Sequence, residues 1–111
     1  MASGYRQALS GSFQSDGTAR TVQLGFPATR VTLKVDTGAE GEYQDAMSST
    51  NTTFKRTAGG TGSVITGASG ITVSASQSAS PSPGVNDQFV VGTDSDLNPG
   101  SNHVVYWWAE E

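Results

Sequence analysis

The sequence predicts an all-β protein, an antiparallel β-sandwich or small barrel of about 7–9 short strands. Ser, Thr and Gly together account for 42 of the 111 residues, a composition that disfavours helices. Among the apolar residues larger than Ala, Val is the commonest, and with Tyr, Phe and Trp it suits the pleated surface of a sheet. Runs of period-two alternation are separated by turn residues at intervals of about 8 to 12 residues. A chain of this length is expected to form one domain, residues 1–111.

Nine strands are expected in chain order. They cover residues 5–13, 18–24, 30–36, 42–47, 52–57, 63–66, 71–75, 88–91 and 104–109. The third strand is the clearest, because Val31, Leu33 and Val35 alternate with charged or hydroxyl residues. That apolar face is predicted to lie in the core, together with Phe26 and Phe89.

Turn residues define the connections between these strands. Asp16-Gly17 is a strong hairpin signal, so the first two strands are predicted to pair with each other. Residues 37–41 and 58–62 are expected to form a turn and a loop. Residues 77–85 contain two prolines and no apolar periodicity, which predicts an extended connection that gains its order from a neighbouring subunit.

The only two tryptophans, Trp107 and Trp108, are adjacent in the closing strand. Adjacent side chains of a strand point to opposite faces, so the two indoles cannot share one core. One face is assigned to the core and the other to an assembly interface. The core set is Val105, Trp107 and Ala109, and the interface set is Val104, Tyr106 and Trp108. The alternative is that Trp108 packs under the connection at residues 77–85.

Charge and composition argue against several classes of function. The chain has 6 basic and 10 acidic residues, and the basic ones are dispersed, so no nucleic-acid partner is expected. It has no cysteine, which excludes disulfides, thiolate metal sites and a cysteine nucleophile. No apolar stretch is long enough for a signal peptide or a membrane span. The protein is therefore expected to be made in a cytoplasm and to have no membrane partner.

The loop Asp94–Gly100 carries oxygen ligands at alternate positions, like the first part of a calcium loop. Pro99 stands where that loop needs its turn glycine, and Val105 stands where it needs a bidentate glutamate. Asx-type turns are therefore expected in this loop, and no metal is expected.

Candidate catalytic groups are few. His103 is the only histidine, it opens a strand, and no Gly-x-Ser-x-Gly motif accompanies it. A role as a cross-strand or surface partner is expected for it. The acidic pairs Glu110-Glu111 and Glu40/Glu42 are expected to be solvated instead of forming a glycosidase pair. No catalytic residue and no cofactor are therefore expected.

Two short motifs carry little weight. Asn51-Thr52-Thr53 fits the glycosylation sequon, but such triplets arise by chance in a Thr-rich chain. The run Gly59–Gly62 is not expected to bind phosphate, because it lacks a following Lys-Ser or Lys-Thr and a helix.

Residues 16–34 resemble a pattern found in small β-rich structural proteins of tailed bacteriophages. In that pattern a Gly-Thr turn precedes a hydrophobic strand ending in Gly-Phe-x-Pro, and a Val-x-Leu or Val-x-Ile strand follows. Here the strand end reads Gly25-Phe26-Pro27, one residue shorter. The closing segment at residues 106–109 resembles the family's Tyr-Trp-Ala with one inserted tryptophan. Residues 37–90 match no part of the pattern.

The resemblance implies a non-enzymatic virion protein, made in the host bacterial cytoplasm. The leading prediction is a capsid decoration or cement protein that stabilises the head shell through subunit contacts. Its implied partners are the major capsid protein and/or copies of itself in a homo-oligomer, for which a trimer is one arrangement. The alternatives are a tail or fibre component, or a carbohydrate-binding adhesive module that uses exposed tryptophans as a stacking platform.

Overall fold

Nine antiparallel strands form the regular structure in the computed structural model, which describes residues 7–26, 28–44, 52–73 and 88–111. The strands are β1 (Ala8–Gln14), β2 (Arg20–Gln23), β3 (Arg30–Val35), β4 (Glu40–Gln44), β5 (Thr52–Arg56), β6 (Gly62–Thr66), β7 (Ile71–Val73), β8 (Gln88–Val91) and β9 (Val104–Glu110). The described residues contain no helix. The predicted all-β class is therefore confirmed.

The strands form two sheets that pack face to face as a small β-sandwich. The larger sheet has six strands in the order β1-β9-β3-β4-β5-β6, and the smaller has three in the order β2-β8-β7. The closing strand β9 lies between β1 and β3, so the last segment of the chain joins the first strand to the rest of the larger sheet.

The core lies between the two sheets and includes the residues that alternation predicted. Val31, Leu33 and Val35 of β3 are at most 4% exposed, and Phe89 of β8 is fully buried. The rings of Phe89 and Trp107 meet edge to face at 5.4 Å between centroids. Burying a Val, Leu or Phe side chain contributes about 1.5–3 kcal/mol, so this layer carries much of the fold's stability. The predicted core face of β3, and the predicted burial of Phe26, are confirmed.

The predicted hairpin between the first two strands is wrong. β1 pairs with β9 in the larger sheet, whereas β2 pairs with β8 in the smaller sheet. The chain bends at Gly17 and Thr18, with Gly17 at a φ of +79° and Asp16 accepting a hydrogen bond from the Thr18 N–H. This bend carries the chain from one sheet to the other, because each flanking strand finds its partner at the far end of the sequence.

Buried polar side chains hold this crossing in place. Asn98 is 1% exposed, and its amide donates to the carbonyls of Thr18 and Gly92 and accepts from the Gly17 N–H. The amide therefore connects the loop after β1 to the loop after β8. Its full hydrogen bonding compensates for its removal from water.

Two glycines allow large side chains to approach the larger sheet closely. A Cβ on Gly11 would lie 2.8 Å from Cζ2 of Trp107, and one on Gly41 would lie 2.9 Å from Leu97. Both distances are too short for carbon–carbon contact, so these strand positions require the absence of a side chain.

The observed strands shift the predicted bounds by a few residues. β4 begins at Glu40 instead of residue 42, because the preceding turn ends earlier, at Gly38 with a φ of +105°. The predicted strand ends at residues 5–6, 45–47 and 74–75 lie outside the described residues, as does the connection at residues 77–85.

Candidate functional site

The outward surface of the six-stranded sheet, called the outer face below, carries the residues predicted to form an interface. In β9 the residues Val105, Trp107 and Ala109 are at most 7% exposed, and this core assignment is confirmed. Tyr106 and Trp108 point the other way and are 48% and 46% exposed. Their role in an interface stays a prediction, whereas their position on the free side of the sheet is observed.

Strand register shows which residues share the outer face. Two rows of directly paired residues run across all six strands. The first row is Ser10, Trp108, Thr32, Glu42, Phe54 and Val64, and the second is Ser12, Tyr106, Lys34, Glu40, Arg56 and Gly62. Phe54 and Val64 are 41% and 54% exposed. The outer face therefore has an aromatic patch on β9 and a second apolar patch on β5 and β6.

Charged residues separate the two apolar patches. Arg30 lies 3.3 Å from Glu42, and Lys34 lies 3.9 Å from Glu40. These side chains are between a third and just over half exposed, so each pair contributes at most about 1 kcal/mol. The four charges of β3 and β4 pair with each other, so this middle strip of the outer face has equal numbers of each sign, and Arg56 on β5 adds a positive charge beside it.

Val104, the third predicted interface residue, is the first residue of β9 and lies beside a local polar cluster. It is half-buried, and its N–H donates to Oδ2 of Asp36 at 3.0 Å. Asp36 also contacts Nδ1 of His103 at 2.7 Å. The Val104 N–H, followed by the hydrogen bond and charge of His103, lowers the pKa of the Asp36 carboxyl below its usual value. Val104 therefore borders the aromatic patch instead of forming its centre.

His103 was predicted to be a cross-strand or surface partner, and it lies just before β9, where it contacts Asp36 just after β3. Ser15 lies close by, but its hydroxyl accepts from the His103 backbone N–H and donates to the Ser101 carbonyl. The imidazole contacts Asp36 instead. Ser15 is 1% exposed, so its hydroxyl is turned toward the main chain and away from solvent. This arrangement anchors the start of β9.

The loop Asp94–Gly100 contains an ionic cluster that is completed by a lysine. Nζ of Lys55 lies 3.1 Å from Asp94 and 2.7 Å from Asp96. Hydrogen bonding to Asp96, followed by the contacts with Asp94, raises the pKa of Lys55 above its usual value. The described residues contain no group of three or more His, Asp or Glu side chains suited to a metal. The Lys55 ammonium thus provides the positive charge next to the two loop carboxylates.

The predicted Asx-type turn is present in this loop. Oδ2 of Asp94 accepts hydrogen bonds from the N–H groups of Asp96 and Leu97. Leu97 is fully buried against Gly41, so the turn directs one apolar side chain into the core while its acids face Lys55. Neither Pro99 nor Val105 has an oxygen side chain to extend the cluster.

The glycosylation sequon and the glycine run occupy positions that the fold itself explains. Thr53, the last residue of the sequon, is buried, and its hydroxyl bonds the N–H and carbonyl of Ile71 in the smaller sheet. Asn51 lies outside the described residues. Gly60, at a φ of +96°, forms the turn between β5 and β6. Glu111 accepts a hydrogen bond from the N–H of Gln7, which extends the pairing of β9 with the start of the chain.

The sequence pattern did not identify Lys55 or Asn98 as organising residues. Both act on partners that are distant in sequence, since Lys55 bonds Asp94 across 39 positions and Asn98 bonds Thr18 across 80. The available signal was local in both cases. A lysine beside an arginine inside a strand predicts only a solvated face, and an asparagine before proline in an acidic loop predicts only a turn.

The last observations concern membrane-spanning helices and similarity to known proteins. Within the described residues, no helix is long and apolar enough to cross a membrane. The likeness of residues 16–34 to phage structural proteins remains a resemblance of motifs. Comparisons of the chain with protein-family models, with curated proteins and with solved structures found no match.

Proposed function

We propose that the protein is a non-enzymatic structural protein of a phage virion, of the capsid decoration or cement class, which attaches through its outer face. The observation that carries the proposal is the exposure of Tyr106 and Trp108, at 48% and 46%, on a sheet whose other side is already packed. Tyrosine and tryptophan are the residues most often found as energetic anchors of protein interfaces. The motif resemblance supplies the class of partner, a major capsid protein and/or further copies of the chain.

The charge pattern of the outer face supports a protein partner. The whole chain has a net charge of −4, yet the ion pairs Arg30–Glu42 and Lys34–Glu40 balance the middle of this face. A balanced polar surface beside exposed aromatic residues is typical of protein–protein interfaces. The acidic excess on the remaining surface keeps free copies soluble before assembly.

The test is to locate the protein on intact particles of the virus that encodes it. We expect labelled electron microscopy to show density on the head, and purified particles to contain the protein in a fixed ratio to the major capsid protein. Labelling confined to the tail would support a tail or fibre component instead. Absence from purified particles would contradict any virion role.

Two variants test whether the protein contacts the phage head through its outer face. We expect Trp108→Ser to weaken binding to the heads roughly tenfold or more, as loss of an interface anchor does. Val90→Ser is the matched control, because Val90 is a half-buried valine on the outward side of the smaller sheet. Equal binding by the two variants would show that the outer face is not the attachment surface.

The same aromatic patch supports one second candidate, a carbohydrate-binding module. Tyr106 and Trp108 are exposed two positions apart on one strand, and aromatic rings in such an open arrangement can stack on sugar rings. Retention of the purified protein on a glycan column, lost in Trp108→Ser, would favour this function. Failure to bind a broad set of glycans would remove it.

A further inference from the structure

β1 is one edge of the six-stranded sheet, and its free side has an orderly set of unpaired backbone groups. The N–H of Glu111 bonds the carbonyl of Gln7, and the N–H of Ser15 bonds the carbonyl of His103. In an antiparallel ladder every second residue bonds a given neighbour, so the odd-numbered residues of β1 bond β9. The even-numbered residues direct their N–H and C=O groups away from the sheet. These residues are Ala8, Ser10, Ser12 and Gln14.

Within the described residues, this edge has none of the features that normally block pairing with another strand. β1 is seven residues long and contains no charged residue and no proline. Every residue in it except Phe13 is exposed. Protein edges are usually protected by a charge, a proline, a bulge or a covering segment. Among the described residues no strand pairs with this side of β1.

We propose that β1 pairs antiparallel with β1 of a second copy of the chain, about a two-fold axis next to Gly11. The two six-stranded sheets then form one continuous sheet. The inference goes beyond the proposed function, since it needs no capsid and concerns a different surface, the sheet edge.

The backbone pattern selects one register. With Ser10 opposite Ser12 of the partner subunit, and Ala8 opposite Gln14 of the partner subunit, the even-numbered residues all become hydrogen-bonded pairs. Each strand then uses all four free N–H and all four free C=O groups. A shift by two residues in either direction leaves part of one strand without a partner. Identical strands related by a two-fold axis are self-complementary, and the pairing closes at a dimer.

The side chains fit this register on both surfaces. On the core side it places Leu9 opposite Phe13 of the partner subunit. Leu9 is 44% exposed on the isolated chain, because the smaller sheet does not extend over it, and an apolar cross-strand neighbour covers it. On the outer face the seam contains only serines at its centre. Trp108, which pairs with Ser10, therefore meets no bulky or charged neighbour across the seam.

The opposite edge of the sheet is less suited to self-pairing. β6 has five residues, and its even-numbered members Gly62, Val64 and Thr66 direct their backbone groups outward by the same reasoning. The neighbouring strand places Arg56 beside Gly62. A two-fold pair of β6 strands brings two copies of this guanidinium toward one seam, where like charges repel. β1 is longer, and the guanidinium near it, that of Arg20 at 5.1 Å from the Phe13 ring centroid, belongs to the smaller sheet on the inner side.

A pair of double variants tests the register by light scattering. Ser10→Lys with Ser12→Lys places like charges opposite each other across the axis, whereas Ser10→Lys with Ser12→Glu places opposite charges there. We expect the native chain, of 11.4 kDa, to double its mass with a micromolar dissociation constant, since one strand pair buries less than a standard interface of about 1,200–2,000 Å². The Lys/Lys variant should dissociate and the Lys/Glu variant should remain dimeric, with Kd values about tenfold apart.

Control measurements distinguish loss of strand pairing between two copies from loss of folding of each copy. All substituted side chains lie on the exposed outer face, so the melting temperature of each variant should stay close to that of the native chain. Val64→Lys places a charge on the other edge and should leave the dimer intact. A native chain that stays monomeric at millimolar concentration, equal behaviour of the two double variants, or loss of the dimer only in Val64→Lys would each overturn the inference. A mass that grows without limit would show open-ended pairing of β1 with β6 and would also overturn it.

Discussion

The two sides of the six-stranded sheet differ in cover even where they carry the same residue type. Trp107 and Trp108 are neighbours in β9, yet one is 7% exposed and the other 46%. The inner side is covered by the smaller sheet and by the loop at residues 94–98, and the outer side has no cover among the described residues. The same residue type therefore stabilises the fold on one side and is free to contact a partner on the other.

The largest expected effect comes from placing a charge on the inner side. Leu33 is fully buried in the middle of β3, so Leu33→Asp should destabilise the protein by at least about 4 kcal/mol or prevent folding. Lys34→Asn, on the outer side of the same strand, is the control and should fold normally. Thermal unfolding followed by circular dichroism measures both. A native melting temperature for Leu33→Asp would mean that the inner face is wrongly assigned.

The two tryptophans give the most direct comparison of the faces. Trp107→Ala should cost about 3–5 kcal/mol, because it leaves a cavity between Gly11 and Phe89. Trp108→Ala should cost about 1 kcal/mol or less and should act on binding instead. Urea unfolding of the two variants checks the difference. Equal losses of stability would show that the outer face is covered in the folded chain.

The smaller sheet and the loop that cover the inner side are held in place by polar contacts as well as apolar ones. Asn98→Ala removes the hydrogen bonds to Gly17, Thr18 and Gly92 and leaves the buried carbonyl of Gly92 without this donor. We expect a loss of about 2–3 kcal/mol in the free energy of unfolding. Asn102→Ala, an exposed asparagine four positions later, is the control and should change stability little. Similar results for both variants would assign no stabilising role to the buried amide.

Alternation within single strands was predictable from the sequence, and strand pairing was not. The period of two in β3 and β9 identified the core residues, because side-chain direction is a local property of an extended chain. Asp16-Gly17 was also a local signal, and the chain bends there, although it forms no hairpin. Its neighbours pair with β9 and β8, and no short-range signal specifies partners that far along the chain. The sequence also showed the loop acids Asp94 and Asp96, because they lie close together in the chain. It did not show that Lys55 binds them.

The smallest expected difference in stability comes from comparing one lysine ion pair on each side of the six-stranded sheet. Lys55 is 12% exposed and bonds two carboxylates, while Lys34 is 55% exposed at 3.9 Å from Glu40. Lys55→Met should lower the free energy of unfolding by about 2 kcal/mol at neutral pH, because it leaves partly buried Asp94 without its partner. Lys34→Met should lower it by about 0.5 kcal/mol or less.

The pH dependence of that difference identifies its source. The pKa of Lys55 is raised in the folded protein, so its contribution is fully present below the unfolded value of about 10.4 and is lost as the pH rises through the folded value. The stability difference between the native chain and Lys55→Met should therefore be constant from neutral pH to about pH 10 and should shrink above it. Denaturant unfolding at a series of alkaline pH values measures this difference, with Lys34→Met as the reference. A difference that persists unchanged above the folded pKa would mean that Lys55 stabilises the inner side through its aliphatic packing, and that the two faces differ in apolar contacts alone.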